Sequence, residues 1–163
     1  MFVRTAGERD LGAIRALLVE TWHATYDAIY GSERVTEITG KWHSIEVLRS
    51  RLAKPNAEFL VADDGKRIGG MAFAESTDGG KLVTLKQLYV LPSLQGRGIG
   101  GMLLDEIIES FPEASAVSLE VEEQNARAIA FYEANGFVRS AQAGEQGGSS
   151  GKPTLVYRRA LAV

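Results

Sequence analysis

Four of the seven residues from Gln95 to Gly101 are glycines, in the order Gln-Gly-Arg-Gly-Ile-Gly-Gly. Glycine lets the backbone adopt positive φ and approach a ligand with no Cβ in between. The segment lies between a long apolar run and an amphipathic pattern, so we expect a helix to begin there and to direct its unpaired N–H groups outward. Such a helix start binds anions. The segment therefore predicts a phosphate or pyrophosphate site, where Arg97 can add a charge-assisted contact.

The same glycines also fit a second kind of phosphate-binding sequence. Gly96, Gly98 and Gly101 follow the G-x-G-x-x-G fingerprint of NAD-binding folds, and Glu122 lies about 20 residues downstream, where a ribose-binding acid belongs. Two observations disfavour this interpretation. Residues 92–95 separate the glycines from the preceding strand, and only 62 residues follow Gly101. An NAD-dependent oxidoreductase is therefore the weaker alternative.

The elements around this segment follow from the spacing of apolar residues. Steps of three and four predict helices, whereas short apolar runs bounded by turns predict strands. The predicted helices cover residues 8–28, 45–52, the stretch from the glycines to 111, and 125–134. The predicted strands cover residues 2–3, 59–62, 68–74, 81–91, 116–121, 137–138 and 154–158, with a flexible connection over 144–151. This order predicts a single α+β (α/β) domain over residues 1–163 with a mixed sheet.

The composition limits the function further. The chain has 163 residues, of which 45% are apolar and 24% charged, and it has no cysteine. One globular core fits these values, whereas disulfides, thiolate metal sites and a cysteine nucleophile are excluded. A net charge of −3 disfavours nucleic acid as a partner. No signal peptide or membrane-spanning run is readable, so we expect a cytoplasmic protein. His23 and His43 lack the spacing of a helical metal motif, so no metal is expected.

The segments on either side of the glycines make the pattern more specific. The sequence Q-x-x-G-x-G over residues 95–100 resembles the acyl-CoA pyrophosphate motif of the GNAT superfamily of N-acetyltransferases. Residues 88–92 are similar to that family's bulged fourth strand, and N-x-x-A-x-x-F-Y-E-x-x-G-F over residues 125–137 resembles its second cofactor motif. The resemblance covers about residues 81–137. It implies a mixed, mostly antiparallel sheet of six to seven strands flanked by about four helices.

The resemblance also implies acetyl-CoA as co-substrate and a set of residues that bind it. The backbone of Leu88, Tyr89 and Val90 is expected to pair with the pantetheine arm like an added strand. Asn125 is expected to contact the same arm, and Tyr132 to lie beside the thioester sulfur. The implied pyrophosphate-binding residues are Gln95, Gly96, Arg97, Gly98, Ile99, Gly100 and Gly101.

Glu120 is the candidate general base, since it matches the base of the branch that acetylates protein N-terminal alanines. A carboxylate acting through water can take the proton of an ammonium group. A strand bulge at Tyr89–Val90 would offer the Val90 N–H to the developing oxyanion. Tyr132 would need to contribute little, because a thiolate with a pKa near ~8.5 leaves readily. Without a cysteine, we expect direct transfer in a ternary complex.

Each of these side chains has a plainer interpretation as well. Tyr132 also fits a core aromatic on a helix face, Asn125 a helix N-cap, and Glu120 a solvated strand residue. Glu122 is expected to be a surface charge. The resemblance makes the aromatic segment from Trp22 to His43 the wall of an acceptor pocket, but core packing is the favoured interpretation for any single residue there.

Taken together, these interpretations predict an N-acetyltransferase. It would move an acetyl group from acetyl-CoA to a primary amine on a small molecule or a peptide N-terminus. A non-catalytic acyl-CoA sensor is the main alternative. The acceptor amine, acetyl against a longer acyl donor, and monomer against homodimer stay open at this point, with no nucleic acid or membrane expected as a partner.

Overall fold

One seven-stranded sheet forms the centre of the molecule. The structure, a computed structural model, describes residues 1–143 and 153–161, and the connection predicted over 144–151 lies outside them. The strands are β1 (Phe2–Thr5), β2 (Ala57–Asp63), β3 (Ile68–Thr77), β4 (Leu82–Val90), β5 (Ala116–Glu122), β6 (Val138–Ala143) and β7 (Thr154–Ala160). The helices are α1 (Leu11–Tyr30), α2 (Ser32–Trp42), α3 (Ile45–Leu52), α4 (Ile99–Ser110) and α5 (Ala126–Ala134).

The strand order is β1-β2-β3-β4-β5-β7-β6. Neighbouring strands are antiparallel except for β4 and β5, which are parallel. The mixed, mostly antiparallel sheet is therefore confirmed. An NAD-dependent oxidoreductase would need the doubly wound parallel sheet of dinucleotide-binding folds, which the described strands do not form.

Apolar side chains cover both faces of the sheet. On one face, α4 buries Leu103, Leu104 and Ile107 completely, as its three- and four-residue spacing predicts. On the other face, Ile14 of α1 and Leu48 of α3 pack in a second cluster. Each strand residue therefore belongs to one of two layers, and the alternation along a strand decides which. No described helix is long and apolar enough to span a bilayer.

Helix α2 is the element that the sequence analysis did not predict. Its buried apolar residues are Val35 and Ile38, which pack against Trp22 and Tyr26 of α1. Two buried apolar positions in eleven residues give a weak periodic signal, and Gly40 lowers the helix propensity further. Packing against α1 stabilises a helix that local preference alone would not form, which brings the number of helices to five within the described residues.

Candidate active site

The two parallel strands β4 and β5 pair only over their first halves. The pairs run from Leu82–Ala116 to Leu85–Leu119, and β4 continues to Val90 against β3. A cavity of about 970 Å³ lies where the strands separate. It is lined by both strands, by α1, by the start of α4 and by α5, so three separate stretches of sequence, within 21–29, 85–101 and 120–132, meet in it.

The backbone of Leu88 and Val90 is directed into this opening. Leu91 N donates to a β3 carbonyl at 2.9 Å, which makes Val90 part of a non-hydrogen-bonded pair in the ladder with β3. The N–H and C=O groups of such a residue point away from the partner strand. Val90 O accordingly accepts a hydrogen bond from Gln95 Nε2 at 3.1 Å. Leu88, two residues earlier, has the same orientation, whereas the backbone of Tyr89 faces β3.

The strand bulge lies earlier in β4 than expected. The register against β3 shifts between Leu85 and Gln87, so the extra residue is the exposed Lys86, and the expectation of a bulge at Tyr89–Val90 was wrong. A bulge bends its strand, and this one follows directly after the last pair with β5. It therefore begins the separation of the two strands. Val90 turns its N–H to the opening through the alternation of the ladder instead.

The start of α4 has the backbone that an anion site needs. Gly96 and Gly98 have φ of 81° and 82°, and Gly98 is the N-cap. A Cβ at either position would meet no described atom within 4 Å. Glycine is therefore favoured at both positions by the positive φ and not by a lack of space for a side chain. The first helical hydrogen bond runs from Met102 N to Gly98 O at 3.1 Å. The N–H groups of residues 99–101 therefore have no helical acceptor and lie at the cavity wall.

Asn125 and Tyr132 reach the cavity from α5. Asn125 is the N-cap, with Oδ1 accepting from Ala128 N at 3.2 Å, so the predicted cap is confirmed. Tyr132 is 8% exposed and packs edge-on against Phe131 and Phe137, with ring centroids 5.3 and 5.5 Å away. Burial raises the pKa of its phenol, so the hydroxyl is protonated at neutral pH. Tyr132 is thus both a packed aromatic and a cavity residue.

The carboxylates of Glu120 and Glu122 lie in the same cavity with different surroundings. Glu120 is exposed, and its Oε1 accepts a hydrogen bond from Thr154 Oγ1 at 2.8 Å. Glu122 is half-buried, and its Oε2 accepts from Tyr26 Oη at 3.0 Å. Burial, followed by the neighbouring Tyr89 and Glu122, raises the pKa of Tyr26, so Tyr26 is a permanent donor to this carboxylate.

The aromatic segment of α1 joins this side of the cavity. Trp22 and Tyr26 are each 3% exposed, with ring centroids 4.4 Å apart, and Tyr26 lies 5.4 Å from Tyr30. Trp22 also lies 6.4 Å from the ring of Tyr89 on β4. The same residue therefore packs in the core and lines the cavity: the ring of Tyr26 is buried, while its hydroxyl donates to Glu122.

Every predicted site residue except Arg97 lines this one cavity; the exposed side chain of Arg97 lies outside the lining. The sequence analysis predicted Glu122 only as a surface charge and placed Tyr26 only within the aromatic segment from Trp22 to His43, without the contact between them. A period of two along β5 places Glu120 and Glu122 on one face of the sheet, which was the available signal for Glu122. Within residues 1–143 and 153–161, no group of three or more His, Asp or Glu side chains could hold a metal ion.

Comparisons with known proteins agree with this geometry. The model of the Acetyltransferase (GNAT) family matches residues 13–137. IAA acetyltransferase of Azospirillum brasilense is 37% identical over 99 residues, which are 59% of this chain and 64% of that protein. The chain thus spans slightly less than two thirds of that relative.

Two further relatives extend over nearly the whole chain. An uncharacterized N-acetyltransferase of Archaeoglobus fulgidus is 28% identical over 156 residues, which cover 91% of this chain and 98% of the relative. The crystal structure of PaiA N-acetyltransferase from Thermoplasma acidophilum in complex with coenzyme A matches with a TM-score of 0.85 and 22% identity, over 98% of both chains. This likeness shows the fold, and the family match covers β4, α4, β5 and α5. The chain belongs to the acetyltransferase (GNAT) family of acetyl-CoA-dependent acyltransferases.

Proposed function

We propose that the protein transfers an acetyl group from acetyl-CoA to a primary amine, by direct attack of the amine in a ternary complex. One observation carries this proposal: the opening between β4 and β5 joins the anion-binding start of α4 to the carboxylates of β5 in a single cavity. The start of α4 carries the positive end of a helix dipole, which matches the phosphates of the donor. The carboxylates of β5 are negative, which matches the ammonium group of the acceptor.

Donor binding uses backbone more than side chains. The pyrophosphate accepts hydrogen bonds from the free N–H groups of residues 99–101, at the positive end of the α4 dipole. Arg97, exposed at the same turn, turns toward the phosphates when the donor is bound. The pantetheine arm pairs with the free backbone edge of Leu88 and Val90 in the manner of an added strand. Asn125 and Gln95 flank this arm.

The chemical step removes two protons from the acceptor nitrogen and supplies one proton to the leaving sulfur. Glu120, acting through water, takes a proton from the acceptor ammonium group, and the freed nitrogen attacks the thioester carbonyl carbon. The Val90 N–H stabilises the oxyanion that forms. The carbon–nitrogen bond then stays while the carbon–sulfur bond breaks, and the Tyr132 hydroxyl supplies a proton to the leaving thiolate. The nitrogen, still cationic after the attack, loses its second proton through water to the Tyr132 oxygen, which restores the phenol. The products are an acetylated amine and CoA, with no acyl-enzyme.

Thiol release from acetyl-CoA with a panel of amines tests this function. We expect at least one primary amine to release CoA well above the rate of hydrolysis, with one acetylated product per thiol by mass spectrometry. Initial rates at varied concentrations of both substrates should give intersecting double-reciprocal lines, whereas parallel lines would indicate an acyl-enzyme. CoA binding without release for any amine would favour the sensor over the enzyme.

A further inference from the structure

We propose that Glu122 is the acceptor-binding carboxylate of this site. It holds the ammonium group of a cationic primary amine beside the free edge of β4, with Tyr26 as its positioning residue. The inference rests on the proposed function and deepens it, because it makes the acceptor an amine that is positively charged before it reacts, such as an alkylamine, and disfavours amines that are neutral at pH 7.

A relay of hydrogen bonds fixes Glu122 in place. Tyr26 Oη donates to Glu122 Oε2 at 3.0 Å and accepts from Asn125 Nδ2 at 3.1 Å. The other end of the Asn125 amide accepts from Ala128 N at 3.2 Å, which ties the relay to the first turn of α5. A carboxylate on a strand end that is held from two helices is pre-organised, and a ligand that binds it loses little additional side-chain freedom.

The charge of Glu122 reaches the reacting end of the cavity. Burial raises the pKa of Tyr89, and the next causes are the nearby Glu122 and Tyr132. Glu122 also raises the pKa of Tyr26. The carboxylate therefore lies near two phenols, Tyr26 of α1 and Tyr89 of β4, in the cavity where Leu88 and Val90 present their free backbone edge.

No cation among the described residues pairs with the carboxylate of Glu122. Within residues 1–143 and 153–161 it forms no ion pair, and its Oε1 accepts no hydrogen bond. A half-buried carboxylate with one acceptor oxygen unused favours a ligand that brings both a positive charge and N–H donors.

Thr21 supplies a second oxygen in the cavity that accepts no hydrogen bond from the described residues. Thr21 is 3% exposed, its Oγ1 forms no hydrogen bond with the described residues, and it lines the same cavity from α1, one turn before Thr25 and Tyr26. A hydroxyl oxygen of this kind can accept a second N–H of an ammonium group. The acceptor side of the cavity thus has two acceptors and an aromatic wall, which fits a primary ammonium group better than a neutral hydroxyl or an aromatic amine.

Equilibrium binding to the CoA complex tests this without turnover. Butylammonium is the cationic probe, and butan-1-ol is its neutral isostere. Because Trp22 lies 4.4 Å from Tyr26, tryptophan fluorescence reports on both, and NMR line broadening of the probes gives a second readout. We expect butylammonium to bind at least tenfold more tightly than butan-1-ol, and Glu122→Gln to abolish this preference. Glu123→Gln, one residue away on an exposed side chain outside the cavity lining, is the matched control and should retain it.

The positioning role of Tyr26 has its own readout. Tyr26→Phe should raise the KM for an alkylamine acceptor several-fold and leave the KM for acetyl-CoA unchanged, and adding it to Glu122→Gln should have no further effect. The inference is overturned if Glu122→Gln binds butylammonium as the wild type does, or if the wild type has no preference for the cation. Failure of the proposed function looks different: butylammonium is preferred, yet no amine in the panel is acetylated.

Discussion

Removing one atom, the hydroxyl oxygen, distinguishes the two interpretations of Tyr132, a packed aromatic and a proton donor to the thiolate. Removing its hydroxyl in Tyr132→Phe keeps the ring between Phe131 and Phe137, so packing is preserved. We expect kcat to fall about tenfold, less than the ~10²-fold typical of a general acid, because a thiolate leaves readily. The Kd for acetyl-CoA should stay within about twofold, because the hydroxyl acts on the leaving thiolate in the transition state and does not bind the thioester in the ground state.

The matched control for this variant is Tyr157→Phe. Tyr157 of β7 is also a buried tyrosine and lies outside the cavity lining, and its hydroxyl donates to Glu133 Oε2 at 3.2 Å. It should retain the wild-type kcat. Steady-state kinetics with the best amine of the panel, together with calorimetric titration of acetyl-CoA, measure both quantities. If Tyr132→Phe turns over as fast as Tyr157→Phe, Tyr132 is a packing residue only.

His43 makes stability depend on pH. It is 3% exposed, and burial, with the nearby Arg51 and Arg15, lowers its pKa to about 3. The ordinary value in an unfolded chain is about 6.5. Between these two values the unfolded chain binds a proton that the folded protein does not bind. The free energy of unfolding should therefore fall by about 1 kcal/mol for each pH unit below about 6.5 from this residue alone, and above it His43 has no effect.

Urea unfolding at pH 5.0 and 7.0 measures this contribution. His43→Asn removes the titrating group, so the difference in unfolding free energy between the two pH values should shrink relative to the wild type. Asp10, whose pKa is lowered by the hydrogen bond from Arg4, acts only at more acidic pH and does not interfere. An unchanged difference would mean that His43 is protonated in the folded protein or that the buried site admits water.

The sequence predicts a surface charge at Glu122, whereas the structure half-buries its side chain beside Tyr26. Alternation along β5 places Glu120 and Glu122 on the same face, but it cannot tell which of them has a buried neighbour. The deciding contact comes from Tyr26, 96 residues away in the chain. Asn125, by contrast, could be predicted as a cap, because its acceptor and donor are three residues apart.

At the scale of elements, the start of α4 is the part of the site that backbone geometry determines. Gly98 has φ of 82° and open space around it. In Gly98→Val, a β-branched side chain at positive φ strains the turn, and it also occupies the space through which the phosphates would approach. We expect the Kd for CoA to rise at least about tenfold, a free-energy change of about 1.4 kcal/mol.

A matched control isolates the effect on binding from the loss of a glycine. Gly12 lies in α1, and a Cβ there would meet no described atom within 4 Å, so Gly12→Ala should leave the Kd for CoA unchanged. Calorimetry at one temperature compares the two variants, with circular dichroism to show that Gly98→Val is folded. If folded Gly98→Val binds CoA like the wild type, the glycine turn does not touch the phosphates.

Elements differ in how far the sequence determines them. The periodicity of α1 and α4 was readable, because each buries a full apolar face against the sheet. Helix α2 was not, since its stability comes from two side chains packed on α1. The position of the β4 bulge could not be predicted from the sequence either. Lys86 is the extra residue because Phe73 and Ala74 of β3 pair with Gln87 and Leu85 of β4. This register is a property of the two strands together.

For the whole molecule, the mixed sheet could be predicted from the order of elements and the glycine segment, whereas the separation of β4 and β5 could not. That separation depends on the pairing of β4 with β5, which ends after four residue pairs, and on the bulge that follows the last pair. The opening lies between two parts of the fold that share one hydrophobic core, β1–β4 with α1–α4 and β5–β7 with α5. A ligand lying in the opening contacts both parts, so its binding should stabilise the whole fold.

Thermal unfolding with acetyl-CoA and with NAD measures this effect. A ligand at 100 times its Kd stabilises by about 2.7 kcal/mol, and for a domain of this size each kcal/mol raises Tm by about 2–4 °C, so acetyl-CoA should raise Tm by about 5–11 °C. NAD shares the adenosine and the pyrophosphate but has no pantetheine arm. It can use only the start of α4, leaving the free edges of Leu88 and Val90 unpaired, so its shift at equal concentration should be close to zero. Equal shifts for the two ligands would mean that the opening between the strands contributes nothing to binding.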